Sequence, residues 1–191
     1  FKDGRIVEKN SFRRSNYFEF VGKECLHVHE HVGVLDMSAF SKCSVTGSGA
    51  EVWLDSVVAN TLPKAVGRIG LCHLLSQNGG VRSEFTIYKR SENDYYIVFA
   101  GAQERHDWDC LTKLKPIDGS VHLQKITSQI GVLVVAGPKS RQVLQKLTDT
   151  ELDNDHFKWL SGKPINVGFG HAEALRVNFI GELGWELHHP I

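Results

Sequence analysis

Two acids far apart in this chain stand in settings that a solvated surface residue does not need. Glu182 lies in the run Ile180-Gly181-Glu182-Leu183-Gly184-Trp185-Glu186-Leu187, between glycines that permit a tight backbone with positive φ. A carboxylate held on such a turn beside Trp185 and Phe179 has the geometry to accept two parallel N–H donors from a flat heterocycle. The aromatic rings would cover that heterocycle's face. Asp36, in Val32-Gly33-Val34-Leu35-Asp36-Met37-Ser38, follows an apolar run, so its backbone is expected to be buried or nearly so. A buried carboxylate must be hydrogen-bonded or shifted in pKa, and acid–base groups are found in such places. Ser38 can serve the local turn or present its hydroxyl to a ligand. Arg176 can bind a carboxylate tail or pair with an acid across two strands.

The elements that must position these residues come in two copies. Cys43-Ser44-Val45-Thr46-Gly47-Ser48-Gly49 and Leu133-Val134-Val135-Ala136-Gly137-Pro138-Lys139 are both β-rich runs ending in Gly, with Gly47 and Gly137 90 residues apart. Ser48 as an N-cap and Pro138 at a first turn then open helical patterns. Ala50, Trp53, Leu54 and Val57 match Ser140, Val143, Leu144 and Leu147 at the same offset, each set spaced i, i+3, i+4, i+7. The spacing predicts a hairpin from Phe85-Thr86-Ile87-Tyr88 to Tyr95-Tyr96-Ile97-Val98-Phe99, and again from Leu175-Arg176-Val177-Asn178 to Trp185-Glu186-Leu187. In the first copy a helix over 102–114 and a strand over 121–126 follow. In the second the chain stops where its helix should begin, so apolar surface on the second hairpin, Leu187 included, is expected to lie uncovered. The expected architecture is α+β, a duplicated strand–helix–hairpin (ferredoxin-like) domain over residues 1–191, truncated at the C-terminus, with repeats near 32–126 and 131–191. A helix over 24–32, a strand over 69–75 and a surface loop over 150–164 complete the reading.

Composition sets limits. With 191 residues, 41% of them hydrophobic, the chain can build one sizeable core or two small ones. Lys+Arg and Asp+Glu balance at 22 each, so no charge footprint points to nucleic acid or an anionic membrane. Cys25, Cys43, Cys72 and Cys110 form no C-x-x-C pair, which fits a reduced compartment better than a disulfide framework or a zinc site. No apolar stretch reaches membrane-span length, and Phe1 in place of Met is read as a chain cut from something longer.

Rival chemistries fare worse. His27 and His31 are i, i+4 neighbours with no evident third ligand, so no metal site is expected. No Gly-x-Ser-x-Gly elbow is present; His106 is four residues before Cys110, and a structural cysteine is the expected reading. Gly47-Ser48-Gly49 lacks the Lys-Ser/Thr of a P-loop and the third Gly of a dinucleotide fingerprint.

Taken in order, Val32-Gly33-Val34-Leu35-Asp36-Met37-Ser38, Val45-Thr46-Gly47-Ser48-Gly49-Ala50, Gly79-Gly80-Val81, Gly137-Pro138 and Gly181-Glu182-Leu183-Gly184-Trp185-Glu186-Leu187 resemble the aminomethyltransferase (glycine cleavage T-protein) superfamily. The last run, with Asn16-Tyr17-Phe18-Glu19-Phe20-Val21-Gly22, is more similar to its dimethylglycine- and sarcosine-dehydrogenase branch. The resemblance implies a tetrahydrofolate-binding domain. Asp36 would stand near the reactive nitrogens as the catalytic residue, orienting the folate and stabilising a cationic iminium or shuttling its proton; Glu182 would bind the pterin's amino and ring N–H groups, joined by Ser38, Arg176 and Phe179. It implies capture of a methylene group from a methylamine-type donor by tetrahydrofolate, with FAD confined to a domain or partner subunit absent from this chain. A bacterial cytoplasm or a mitochondrial matrix is the implied setting. Phe179 replaces the family's tyrosine, Ser76 its asparagine, and Ser83-Glu84 its paired acids. A folate-binding module without chemistry and a structural domain with a vestigial pocket stand as the rival readings.

Overall fold

The computed structural model describes residues 11–191, so the first ten residues of the expected 1–191 domain lie outside the described residues. Helix α1 (Phe18–Glu30) leads into β1 (Gly33–Asp36). A first unit follows: β2 (Ser41–Thr46), α2 (Ala50–Val57), β3 (Ile69–Leu75), β4 (Val81–Ser91), β5 (Asp94–Phe99), α3 (Glu104–Leu114) and β6 (His122–Lys125). The second unit is β7 (Ile130–Ala136), α4 (Ser140–Leu144), β8 (Gly162–Val167), β9 (Gly170–Leu175) and β10 (Gly184–Pro190).

Each unit builds an antiparallel five-stranded sheet, one in the order β3-β4-β5-β2-β6 and the other β8-β9-β10-β7-β1. Strand for strand the orders agree, and the expected duplicated α+β architecture is present. The place that β6 takes beside β2 is taken beside β7 by β1, from the start of the chain. Both strand-to-helix corners use the same device. Gly47 and Gly137 have φ of +116° and +122°, a region L side chains rarely enter. A Cβ on Gly47 would lie 2.3 Å from the Ser120 carbonyl oxygen, and one on Gly137 2.5 Å from that of His31. Those carbonyls precede the two edge strands and accept the Gly49 and Lys139 N–H groups at 3.0 and 2.9 Å.

Alternation along the strands sorts side chains into layers. Cys43, Val45, Phe85, Tyr95 and Ile97 pack under α2 and α3. The opposite face of that sheet, with Ile69, Tyr88, Tyr96 and Val98, meets Leu175 of the second sheet. Trp185 and Leu187 pack under Leu144, Leu152 and Phe157 on the second sheet's other face. Burying a side chain of that size contributes on the order of 2–3 kcal/mol. Polar contacts cross the seam: Tyr96 Oη and His188 Nδ1 are 2.8 Å apart, and Arg90 Nε donates to Glu173 Oε2 at 2.8 Å; within β10, His188 Nε2 lies 3.1 Å from Glu186 Oε2.

Several expectations need correction. Leu187 is covered, because α4 and the 150–161 segment close over it. That segment is no mere surface loop, since it drives Leu152 and Phe157 into the core. α4 stops at Leu144, not Leu147: the following turn tightens to i→i+3 bonds, and the Leu147 carbonyl is captured by Gly168 N–H at 2.7 Å. Gly49 and Lys139, not Ser48, are the N-caps. α1 begins at Phe18 and ends at Glu30, earlier at both ends than the helix expected over 24–32, and Gly33 opens β1. A Cβ at Gly33 would lie 2.7 Å from Val28 Cγ2, so glycine allows the strand to pass under the helix. The second hairpin is unzipped: β9 ends at Leu175, and Arg176 to Asn178 do not extend it.

Candidate functional site

The unzipped arm, residues 176–183, forms one wall of a cleft of about 1080 Å³. The arm contributes Asn178, Phe179, Ile180 and Glu182; the opposite wall is the C-terminal half of α1, with Cys25, His27, Val28 and His29. Between them the floor is β-sheet, from Gly33 and Leu35 of β1 to Val134 and Ala136 of β7. β1 positions the floor because it pairs in register with β7, Leu35 opposite Val134. Val28 of α1 then packs over Val132, Val134 and Ala136. Lys23 and Glu24 of α1 and Glu182 of the arm put charge on the walls, and an apolar floor between polar walls suits a planar heterocycle.

The acid on the arm is Glu182. Its Oε1 lies 2.9 Å from His29 Nδ1, and the Glu182 side chain is about one quarter exposed, at 28%. Hydrogen bonding to Glu182, and its charge, raise the His29 pKa above the ordinary imidazole value. Gly181, at φ +80°, turns the backbone so that Glu182 faces α1. Phe179, expected to stack on a ligand, is 79% exposed at the tip of the arm and lines the same cleft. Asn178 is buried; its Oδ1 accepts the Ile180 N–H at 2.9 Å, while Nδ2 has no partner among the described residues.

Asp36 departs from its expected burial. It is exposed, because β1 is an edge strand and Asp36 lies on the face opposite Leu35. Its neighbours Leu35 and Met37 line the cleft and Asp36 does not. The Ser38 N–H donates to Asp36 Oδ1 at 2.8 Å. Contacts from the Ser38 side chain and backbone hold the Asp36 carboxyl below the usual range. Ser38 Oγ accepts the Val132 N–H at 3.0 Å, and the buried Lys42 amine donates to the Ser38 carbonyl at 2.7 Å. Ser38 therefore serves the turn that presents Asp36.

Arg176 is also placed elsewhere. Its guanidinium donates to the Phe157 carbonyl and, from Nη2, to Asn154 Oδ1 at 2.7 Å, and it lies 5.7 Å from the Trp185 ring centroid. It fastens the 150–161 segment and does not line the cleft. The structure thus brings Glu182 and Phe179 together, with Asp36 and Ser38 one strand face away and Arg176 apart. Sequence reasoning missed His29, whose partner Glu182 is 153 residues away, and Asn178, which no local pattern singles out.

Outside the cleft, His106 Nε2 is 3.9 Å from Cys110 Sγ, and the exposed Glu151, Asp153 and His156 cluster within 4.8 Å. Among the described residues no helix is long and apolar enough to cross a membrane.

With this geometry in view, the comparisons with known proteins are specific. Residues 2–191 match the family model described as the GCVT N-terminal domain. Dimethylglycine dehydrogenase, mitochondrial, of Mus musculus is 39% identical over 191 residues, covering 99% of this chain and 22% of that protein. Sarcosine dehydrogenase, mitochondrial, of Homo sapiens is 28% identical, covering 97% of this chain and again 22% of the relative. The crystal structure of the glycine cleavage system aminomethyltransferase T from Bartonella henselae superposes with a TM-score of 0.74 at 21% identity, over 88% of this chain and 44% of that one. That last likeness concerns the fold. This chain spans about a fifth of the length of these dehydrogenases.

Proposed function

Since the chain belongs to the GCVT N-terminal domain family, we propose that its cleft binds the pterin ring of a reduced folate and that the domain is the folate-binding part of a one-carbon transferase. The observation that carries this reading is Glu182: a carboxylate presented by the arm over an apolar floor, beside an exposed aromatic ring. A 2-aminopteridine offers an amino N–H and a ring N–H side by side, and one carboxylate accepts both as a charge-assisted pair. His29 on Oε1 does not prevent this, because each carboxylate oxygen accepts more than one hydrogen bond. The apolar floor and Phe179 suit the ring faces. Asn178, with a buried amide donor lacking a partner, supports a polar ligand edge at this wall.

Bound there, a reduced folate supplies the nucleophilic nitrogen that accepts a one-carbon unit. Asp36 is proposed as the catalytic residue. A carboxyl held below its usual pKa is ionised at neutral pH, which suits stabilising a cationic donor better than giving up a proton. Ser38 holds that carboxylate and Lys42 holds Ser38. Oxidation of a methylamine-type donor is assigned to a flavin-bearing domain or subunit outside this chain. A soluble setting, bacterial cytoplasm or mitochondrial matrix, goes with this reading.

The test is calorimetry on the full-length protein and its Glu182→Gln variant. Replacing one acceptor by a donor should weaken tetrahydrofolate binding by about 1.5–3 kcal/mol, the scale of a hydrogen bond to a charged group. Unchanged affinity would refute the pocket assignment. A non-catalytic folate module would show the same loss but no effect of Asp36 on transfer.

A further inference from the structure

The arm holds a second polar group aimed at the cleft wall that pterin anchoring by Glu182 leaves unused. Asn178 is 8% exposed, and its side chain is oriented by its own backbone: Oδ1 accepts the Ile180 N–H at 2.9 Å. That bond settles which end of the amide is which. The remaining end, Nδ2, is a buried donor with no partner among the described residues. A buried donor left unmatched is costly, so its presence at a cleft wall asks for an acceptor to meet it. Room for the amide comes from Gly184, where an ideal Cβ would lie 2.4 Å from Nδ2. Asn178 lines the cleft, and its neighbours along the arm, Phe179 and Ile180, line it too and are 79% and 54% exposed.

Asn178 and Glu182 line the same cleft from the same arm. Together they present an acceptor pair and a donor. The edge of a 2-amino-4-oxopteridine reads amino N–H, ring N–H, then carbonyl oxygen: two donors followed by an acceptor. A carboxylate satisfies the first two and leaves the 4-oxygen wanting a donor. Resting on the reading of the cleft as a pterin site, we propose that Asn178 donates to the 4-oxygen and adds to Glu182, which needs the ring N–H that a 4-amino ring lacks, in selecting a 4-oxo over a 4-amino ring. A site built to hydrogen-bond one group rejects the analogue that reverses it, because a donor then faces a donor.

The test is a cycle of two ligands and three proteins, measured by calorimetry on the full-length chain. The ligands are tetrahydrofolate and its 4-amino-4-deoxy counterpart. Asn178→Asp keeps the acceptor for Ile180 N–H and exchanges the free donor for an acceptor; Asn178→Ala removes both. The ratio of the two dissociation constants is read, since it does not depend on the folded fraction. The Asp variant should bind tetrahydrofolate about tenfold more weakly and the 4-amino compound no less tightly, shifting the ratio by about tenfold or more. The Ala variant should shift it in the same direction by less. Binding that requires Glu182 with a ratio unchanged in both variants overturns this inference alone. Wild-type protein that binds neither compound overturns the pterin reading and this inference with it.

Discussion

The two units share a strand order and a corner glycine, and they part at the hairpin that follows their third segment. In the first, β4 stays paired with β5 as far as Ser91 opposite Asp94, and only two residues turn. In the second, the same length of chain gives up its pairing at Leu175, and residues 176–183 stand away from β10 as an arm. Three local features hold the arm open. The Arg176 side chain is drawn to Asn154 and Phe157, Asn178 closes on Ile180 N–H, and the Leu183 carbonyl is taken by Gly137 N–H at 2.8 Å and Ser140 Oγ at 3.0 Å. A strand engaged in a ladder on both sides has few backbone N–H or C=O groups to spare for a ligand. The candidate site arises where a duplicated framework surrenders a few ladder bonds and keeps everything else.

If the corners of the two units are truly equivalent, Gly47→Ala and Gly137→Ala should cost about the same. Each forces alanine into positive φ and drives a Cβ onto a carbonyl oxygen, so about 3 kcal/mol is expected from each in urea unfolding. A loss confined to one of them would break the equivalence.

Next in size is the difference in chemistry between the acids. Asp36→Asn should slow one-carbon transfer by about a hundredfold, the lower end for a positioned charged group, while changing folate affinity less than threefold. Equal losses in binding and transfer would move Asp36 into the pterin contact and away from the reacting centre.

The smallest effect concerns the arm's tie to α1. His29 has no counterpart contact in the first unit's tight turn, and its pKa is raised by Glu182. A raised folded value means the tie is complete below the ordinary imidazole value of 6.5 and is lost as pH rises through the raised one. In an NMR titration His29 should have its midpoint above 6.5, returning toward it in Glu182→Gln. An identical midpoint in both proteins would remove the tie from the account.

Much of the framework was legible because burial writes periodicity into sequence. The matched Gly47 and Gly137, the alternation in Tyr95 to Phe99 and the i, i+3, i+4 spacing after Gly49 all answer to the duplicated layers. Glu182 was legible as an acid without a structural need. The rest depends on partners distant in sequence. Nothing near Asp36 says that its strand lies at a sheet edge, which is why apolar neighbours suggested burial that the structure does not have. Arg176 pairs with a segment some twenty residues earlier, and the short-range pattern contains no trace of it. Leu187 is covered by residues that read as a polar loop. His29 and Glu182, in contact at 2.9 Å, are 153 residues apart, so no window along the sequence holds both.

The central claim is that ligand binding belongs to the open arm of the second unit and not to the closed turn of the first. Backbone hydrogen exchange on the full-length protein, with and without saturating tetrahydrofolate, reads both at once. The account predicts slower exchange across residues 178–183 and 25–35 on binding, with residues 91–94 unchanged. Protection at 91–94, or an arm whose exchange ignores the ligand, would contradict it.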